Sequence, residues 1–338
     1  FLKKGYVVKF IGDNYLHEEP YTSTLQQMGI EVLYGQEYLT GIWDWLVKNG
    51  KDIHVAYLNR PHIATKYVDF IKEHTDIKMI YYGHDLHFMR EFREYELTGD
   101  VKKRQESEYW KSIEFSLFHK VAVSYYPSYV EEEAIHAVDE TIPVKAITAY
   151  VYEEFLQNLN KDFAKREGLL FVGGFAHPPN ADAVLWFAKE VFPKIREQIK
   201  VNFYIVGSKV TDEIKALEQP GNGIIVKGFV SEEELADLYR NCRIVVVPLR
   251  YGAGVKGKVV EAIYNGAPIV TTSVGSEGIP DVEKVLLVKD QPDEFAETVV
   301  ELYKDEKRLE DLAEKTQVYI REHFSIDAAW DVIKEDFE

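Results

Sequence analysis

The sequence is short of several things. Cysteine occurs once in 338 residues, at Cys242, so no disulfide can close within the chain and no zinc site can be built from cysteines. That usage fits a reducing compartment, and a cytoplasmic protein is expected. No run of about 20 apolar residues exists, so no membrane-spanning helix is expected. Positive charge is in deficit. Lys and Arg number 40 against 57 Asp and Glu, a net charge of −17. A nucleic-acid partner is therefore not expected, because only a basic surface displaces its counterions. Metal and hydrolase signatures are absent too. The chain contains no Asp-x-Asp, no His-Glu-x-x-His, no Gly-x-Ser-x-Gly and no Walker loop, and its 10 histidines show no ligand-like cluster. Neither a metal nor a cofactor is expected. What remains is ordinary for a folded protein: 46% hydrophobic and 29% charged residues. At about 150 residues per domain, the length predicts two domains.

Apolar runs at 6–11, 30–34, 53–58, 77–82 and 120–125 alternate with helical stretches, and a second series follows at 169–173, 201–206, 223–226, 243–248, 268–272 and 285–288. Alternating strand and helix predicts an α/β fold with parallel sheets. Runs that are apolar throughout read as strands buried on both faces. Residues 150–168 are polar and carry no strand signal, so the expected division is a first domain over 1–155, a second over 156–323, and a C-terminal helix over 324–338 packing back toward the first. The opening FLKKGYVVKFIGDN reads as the last turn of a helix followed by a strand, so an upstream strand and helix are expected to be missing from the given chain. Local signals place further helices. Asn180 is expected to cap a helix reaching Ile195. Ser231 and Glu234 form a capping box whose helix reaches about Arg240. Pro292 stands at a helix start, where its missing N–H costs nothing. Residues 325–337 read as one last helix.

Ligands of open parallel sheets bind beyond the carboxyl ends of the strands, and there the segment VVVPLRYGAGVKGKVVEAIYNGAPIVTT, 245–272, carries most information. A buried strand ends near Pro248. A loop with Gly252, Gly254 and Gly257 leads into a helix that starts near Lys256 to Lys258 and runs to Tyr264. Glycines let the backbone approach a ligand closely. A helix N-terminus offers unpaired N–H groups and a positive dipole end, which suit a diphosphate. Lys256, Lys258 and Arg250 gather positive charge in the same place. Glu261, at i+3 from Lys258, shares its side of the helix and could accept hydrogen bonds from two ribose hydroxyls.

The second half resembles the retaining, nucleotide-sugar-dependent glycosyltransferases of family 4, which have the two-domain GT-B fold of Rossmann-like, doubly wound parallel sheets facing a cleft. The strings that carry the resemblance are LLFVGGFAHPPNADAV, NFYIVGS and IIVKGFVSEEELADLYRNCRIVVVPLRYGAGVKGKVVEAIYNGAPIVTTSVGSEGI. In the first half, YYGHDLHFMRE at 81–91 is the best match. The resemblance implies that Glu261 is the second glutamate of an E-x7-E motif and holds the ribose. The first would fall at Ala253, a departure shared by a subgroup with a G-x-G-x-K-x-K loop. Because that glutamate usually contacts the transferred sugar, the departure puts sugar recognition in doubt. The family's Arg and Lys after the first strand of the second domain are also missing. Gly174 lies in that region, and Lys256, Lys258 and Arg250 are the candidates to replace the charge. Gly252, Gly254 and Val255 belong to the diphosphate loop, Gly228 and Phe229 match the segment that holds the base, and Gly275 is expected near the sugar and phosphate. His84 is implied to face the cleft near the reacting carbon, with Lys256 and Lys258 acting on the leaving phosphate. Arg60, His62 and Asp85, at strand ends of the first half, are acceptor-side candidates.

The activity implied is transfer of a sugar from a nucleotide diphosphate sugar to a hydroxyl of a glycan or lipid-linked glycan, with retention, in cell-surface polysaccharide assembly. Two other readings stay open: a GT-B-fold epimerase or phosphorylase, and a silent binding subunit of an assembly complex. The stretch 87–110 is charged and aromatic. It reads either as an amphipathic helix with a solvated face or as an acceptor or membrane-surface element, with Lys102, Lys103 and Arg104 facing anionic lipid at the inner face of the membrane.

Overall fold

The structure, a computed structural model, describes residues 1–252 and 254–337. The position of the first E-x7-E glutamate, Ala253, lies outside the described residues. The chain divides into two compact units. One comprises residues 1–125 with 141–144, the other 126–140 with 145–338. Residues 126–140 and 145–155 thus group with the second unit, not with the first as the composition break implied. Packing explains the difference. Ser128 lies where a side chain on Gly278 would collide with it, at 2.7 Å, and Lys145 Nζ pairs with Asp336 at 2.6 Å.

In chain order the strands are β1 (Lys9–Ile11), β2 (Glu31–Leu33), β3 (Val55–Asn59), β4 (Lys78–Tyr82), β5 (Val123–Tyr126) and β6 (Val144–Ala146). β1 and β2 pair as a two-stranded parallel sheet, and the other four form a sheet in the order β3-β4-β5-β6. β4 and β5 are buried along almost their whole length, as the apolar runs predicted. β1 is not: Lys9 and Phe10 are exposed. β6 was not foreseen, because three residues interrupted by Lys145 carry no apolar run. Pro61 opens the helix Pro61–His74, and Ala64, Val68 and Ile71 form its buried stripe at i, i+4 and i+7.

The second unit contains β7 (Leu169–Val172), β8 (Phe203–Val206), β9 (Ile224–Gly228), β10 (Ile244–Val247), β11 (Ile269–Thr271) and β12 (Leu286–Val288). They form one parallel sheet in the order β12-β11-β10-β7-β8-β9. Counted within the unit this is 6-5-4-1-2-3, the Rossmann order. Every residue of β10 is buried, and Phe171, Phe187, Phe203 and Phe295 are fully enclosed in the core around the sheet. The helix Pro292–Lys304 and the last helix Ile326–Phe337 form as expected. Ser231 caps its helix by accepting the Glu234 N–H at 3.2 Å, while the Glu234 carboxylate, expected to bond back to Ser231, accepts from Lys227 at 2.7 Å.

Asn180 does not cap its helix. The helix Pro178–Trp186 begins three residues earlier, with His177 at the cap position. Two prolines in the first turn need no N–H partner and hold φ near the helical value, so the helix starts with them. The Asn180 side chain is left to act elsewhere.

Candidate active site

In the Rossmann order the direction in which successive strands are added reverses between β7 and β10, and ligands of such sheets bind at that switch point. The loops that follow these two strands are the Gly173-Gly174 turn and the glycine-rich segment before the helix Gly257–Tyr264. Residues far apart in sequence therefore meet there. Asn180 Nδ2 donates to the Gly174 carbonyl at 2.8 Å, and its Oδ1 accepts from Lys258 Nζ. The Lys258 ammonium also lies 5.5 Å from the centre of the Phe171 ring at the end of β7. Asn180 thus ties the first loop to the second. Its role is invisible in the sequence because the signal at that position is the cap it does not make.

The first loop is held from beneath. Gly173 N–H donates to Val206, Phe175 N–H to Ser208, and Gly207 N–H to Gly228, at 2.9, 2.9 and 2.8 Å. Gly207 has φ +154°, and a Cβ there would sit 1.8 Å from the Gly173 carbonyl oxygen. Gly228 has φ +69° at the end of β9, and Phe229, next in the chain, is 81% exposed.

In the second loop Gly252 and Gly254 adopt φ +131° and +71°. Lys256 precedes the helix and is nearly buried. Its Nζ bonds the Gly254 carbonyl and lies 3.6 Å from Glu277. The backbone N–H of Gly257 is accepted by the Tyr150 hydroxyl, and a Cβ at 257 would lie 2.6 Å from that oxygen. Tyr150 was missed because it lies between the two strand series, at the start of a polar stretch without a strand signal. Gly275 is buried. Its N–H goes to Thr272 Oγ1 at 3.2 Å, and a Cβ there would strike Thr271 Oγ1 at 2.0 Å, so close packing accounts for this glycine. Val255 lines a cavity of about 270 Å³ with Ser128, Ile147, Pro280 and Phe324. Arg250 is placed otherwise than expected. Its guanidinium grips Asp182 with two nitrogens, Nε at 2.9 Å, which neutralises the charge the sequence assigned to phosphate.

Burial and the neighbouring Lys256 push Lys258 down to about 8, and burial followed by Lys258 and Lys256 lowers His177. Positive charge is thus crowded at the switch point, where Lys256 lies near Glu277 and Lys258 donates to the neutral Asn180 amide. Such crowding costs stability. Native Lys258 releases its proton near pH 8, whereas the unfolded side chain does so near 10.5. Below pH 8 the penalty is fully present, and it disappears as pH rises toward 10.5, so this group makes stability increase with pH across that window. The penalty is about 3 kcal/mol, and the Asn180 hydrogen bond offsets about 1 kcal/mol. Lys258→Met is therefore expected to stabilise the ligand-free protein by about 1–2 kcal/mol at pH 7 and not at pH 10, as urea unfolding at the two pH values will show.

Glu261 lies one turn into the helix. Its carboxyl is raised, first by burial, while Tyr239 beside it favours the charged form. Tyr239 is itself 1% exposed, and its hydroxyl has no partner of good hydrogen-bond geometry among the described residues. Tyr152 and Tyr264 stack nearby with centroids 4.2 Å apart.

The first unit gathers its own constellation at the ends of β3 and β4. Arg60 N–H bonds the Tyr82 carbonyl at 3.1 Å, and His84 Nε2 lies 3.1 Å from Asn59 Oδ1. Burial and then Arg60 lower the His84 pKa, while Asp85 opposes them. His62, in the first turn of the helix Pro61–His74, is exposed. Asp85 pairs with Arg90. Arg60 and His84 are both non-glycine residues at positive φ, +62° and +65°, a combination found mainly where function holds the backbone in place. Further along, Lys103 bonds Glu91, Glu94 and Glu106 at 2.7, 3.2 and 3.0 Å, and Arg104 pairs with Glu108, so these two cations meet carboxylates of their own hairpin. Among the described residues no helix is long and apolar enough to cross a membrane.

The site belongs to a Rossmann sheet with a cationic switch point, and comparison with solved structures defines the fold. TarM superposes with a TM-score of 0.68 at 14% identity, covering 88% of this chain and 57% of TarM. Anabaena HepE in complex with UDP gives 0.68 at 13% identity, covering 98% and 99%. The fold is GT-B. Residues 166–305 match the family model of glycosyl transferases group 1. A relative from Klebsiella pneumoniae, an uncharacterized 44.6 kDa protein in the cps region, is 29% identical over 184 residues. The match covers 52% of this chain and 45% of the relative, less than half that protein's length.

Proposed function

We propose that the chain transfers a sugar from a nucleoside diphosphate sugar to a hydroxyl of a glycan or lipid-linked glycan, with retention and without a metal, in polysaccharide assembly. The observation that carries the reading is the link from Lys258 through Asn180 to the Gly173-Gly174 turn at the β7/β10 switch point, with the Lys256 ammonium close enough to Lys258 to depress it. The cps-region relative and the UDP in the HepE complex support the setting and the ligand class. As the bond from the anomeric carbon to the diphosphate oxygen breaks, negative charge grows on the leaving group, and cations already in place there lower the barrier. The acceptor oxygen attacks on the same face, and its proton passes to the departing phosphate. Glu261 holds the ribose, and His84 supports the donor near the reacting carbon.

Thermal unfolding in the presence of a panel of nucleoside diphosphates and their sugars tests the reading. The matching nucleotide at 100 times its Kd is expected to add about 2.7 kcal/mol of stability. A panel in which none shifts the Tm removes the proposal. In Glu261→Ala the nucleoside diphosphate is expected to bind at least tenfold more weakly by calorimetry, while inorganic pyrophosphate binds as before. Equal loss for both ligands, or for neither, contradicts the ribose assignment.

A further inference from the structure

His84 sits at the centre of a three-residue turn. Gly83 N–H is fixed to the Tyr125 carbonyl at 2.9 Å, and Asp85 N–H donates back to Gly83 at 2.8 Å. With φ +65° at a histidine this is the positive-φ form of the γ-turn, which is rare and strained. Such strain, of order 1–3 kcal/mol, persists only where surrounding contacts over-determine the backbone. The contact on the far side of the turn comes from Glu114, in the helix Val101–Phe118. Its carboxylate is wholly buried and accepts the N–H of His87 at 2.9 Å with one oxygen and that of Phe88 at 3.1 Å with the other. These are open donors of the helix His87–Thr98, whose preceding residue, Leu86, has no side chain able to cap it. The His87 ring, packed against Trp110 at 4.7 Å, bonds the Asp85 carbonyl at 3.1 Å and closes the clamp. Burial pushes the Glu114 carboxyl up to about 7, while the two backbone N–H groups favour its charged form. Its two oxygens hold the backbone just beyond His84, one N–H each.

We propose that Glu114 is a positioning residue that holds His84 in its strained turn. The inference rests on the reading of His84 as a donor-side residue, but its test does not need a substrate. Glu114→Gln offers one acceptor where two N–H groups need one each. The His84 imidazole, assigned by its disappearance in His84→Ala, is followed by NMR pH titration in wild type and Glu114→Gln. In wild type its midpoint is expected below 6.5, and in the variant it is expected to move up toward 6.5 as the turn relaxes and the ring becomes hydrated. Identical titration in the two proteins overturns the proposal. If Glu114→Gln does not fold, Glu114→Asp, which keeps the charge and shortens the arm, carries the same expectation and the same refutation. UDP-glucose hydrolysis unchanged by His84→Ala would overturn the donor-side reading alone and leave the titration result standing.

Discussion

Replacing Lys256 and Lys258 together by alanine is expected to slow turnover about 10³-fold, since loss of one preorganised donor to a developing anion costs about 10²–10³ and residues acting as a unit do not multiply fully. Lys256→Ala removes the bond to the Gly254 carbonyl, worth about 1 kcal/mol, while Lys258 is destabilising in the ligand-free protein, so the two changes offset and the Tm is expected to stay within a few degrees of wild type. That separation makes the experiment decisive. A structural lysine pair would lower stability and activity together, whereas a leaving-group pair lowers kcat alone. Release of nucleoside diphosphate, measured with the nucleotide sugar that gives the largest thermal shift, reads kcat directly. Turnover within threefold of wild type would remove both lysines from the chemistry.

Gly207→Ala is expected to be the most damaging single methyl group in the second unit. The added Cβ meets the Gly173 carbonyl oxygen at 1.8 Å, and the backbone there has φ +154°. Neither partner can yield cheaply, because Gly207 N–H is bonded to Gly228 and Gly173 N–H to Val206. Overpacking of this kind costs about 1–3 kcal/mol, and a positive-φ penalty of about 1 kcal/mol or more adds to it. A loss of about 3 kcal/mol or more is expected in urea unfolding, together with loss of nucleoside diphosphate binding in whatever folded protein remains, because the Gly173-Gly174 turn must move. Glycine substitutions elsewhere make the contrast. At Gly221, also at positive φ, a Cβ meets nothing within 4 Å, so Gly221→Ala is a backbone-strain control that leaves the turn in place.

Much of the second unit was legible residue by residue. The strands β7, β8 and β10 are short apolar runs with turn signals at both ends, and burial on both faces leaves polar residues no place in them. The glycine loop, the helix after it and Glu261 could be placed because capping chemistry and helical spacing act over a few residues. The misread positions are those where side chains choose distant partners. Asn180 has the right chemistry for a cap, but the prolines before it start the helix earlier and free its amide for Gly174 and Lys258. Arg250 looks like a phosphate ligand until Asp182, one helix away, takes both ends of its guanidinium. Tyr150 and Glu114 carried no local signal, since each serves a backbone group far along the chain.

Periodicity, caps and glycine spacing are written in neighbouring residues, and they were enough to dictate alternating strands and helices, a parallel second sheet and a glycine-rich loop leading into a helix. Which strands lie side by side is another matter. That β10 settles against β7, bringing Lys258 to Asn180 and Phe171, is decided by the packing of whole apolar surfaces summed over the sheet. The same holds for the pairing of Arg250 with Asp182 and the grip of Glu114 on the turn after His84. Hydrogen bonds and ion pairs between remote residues exist only once the backbone has brought them within about 3 Å, and no stretch of sequence states that distance.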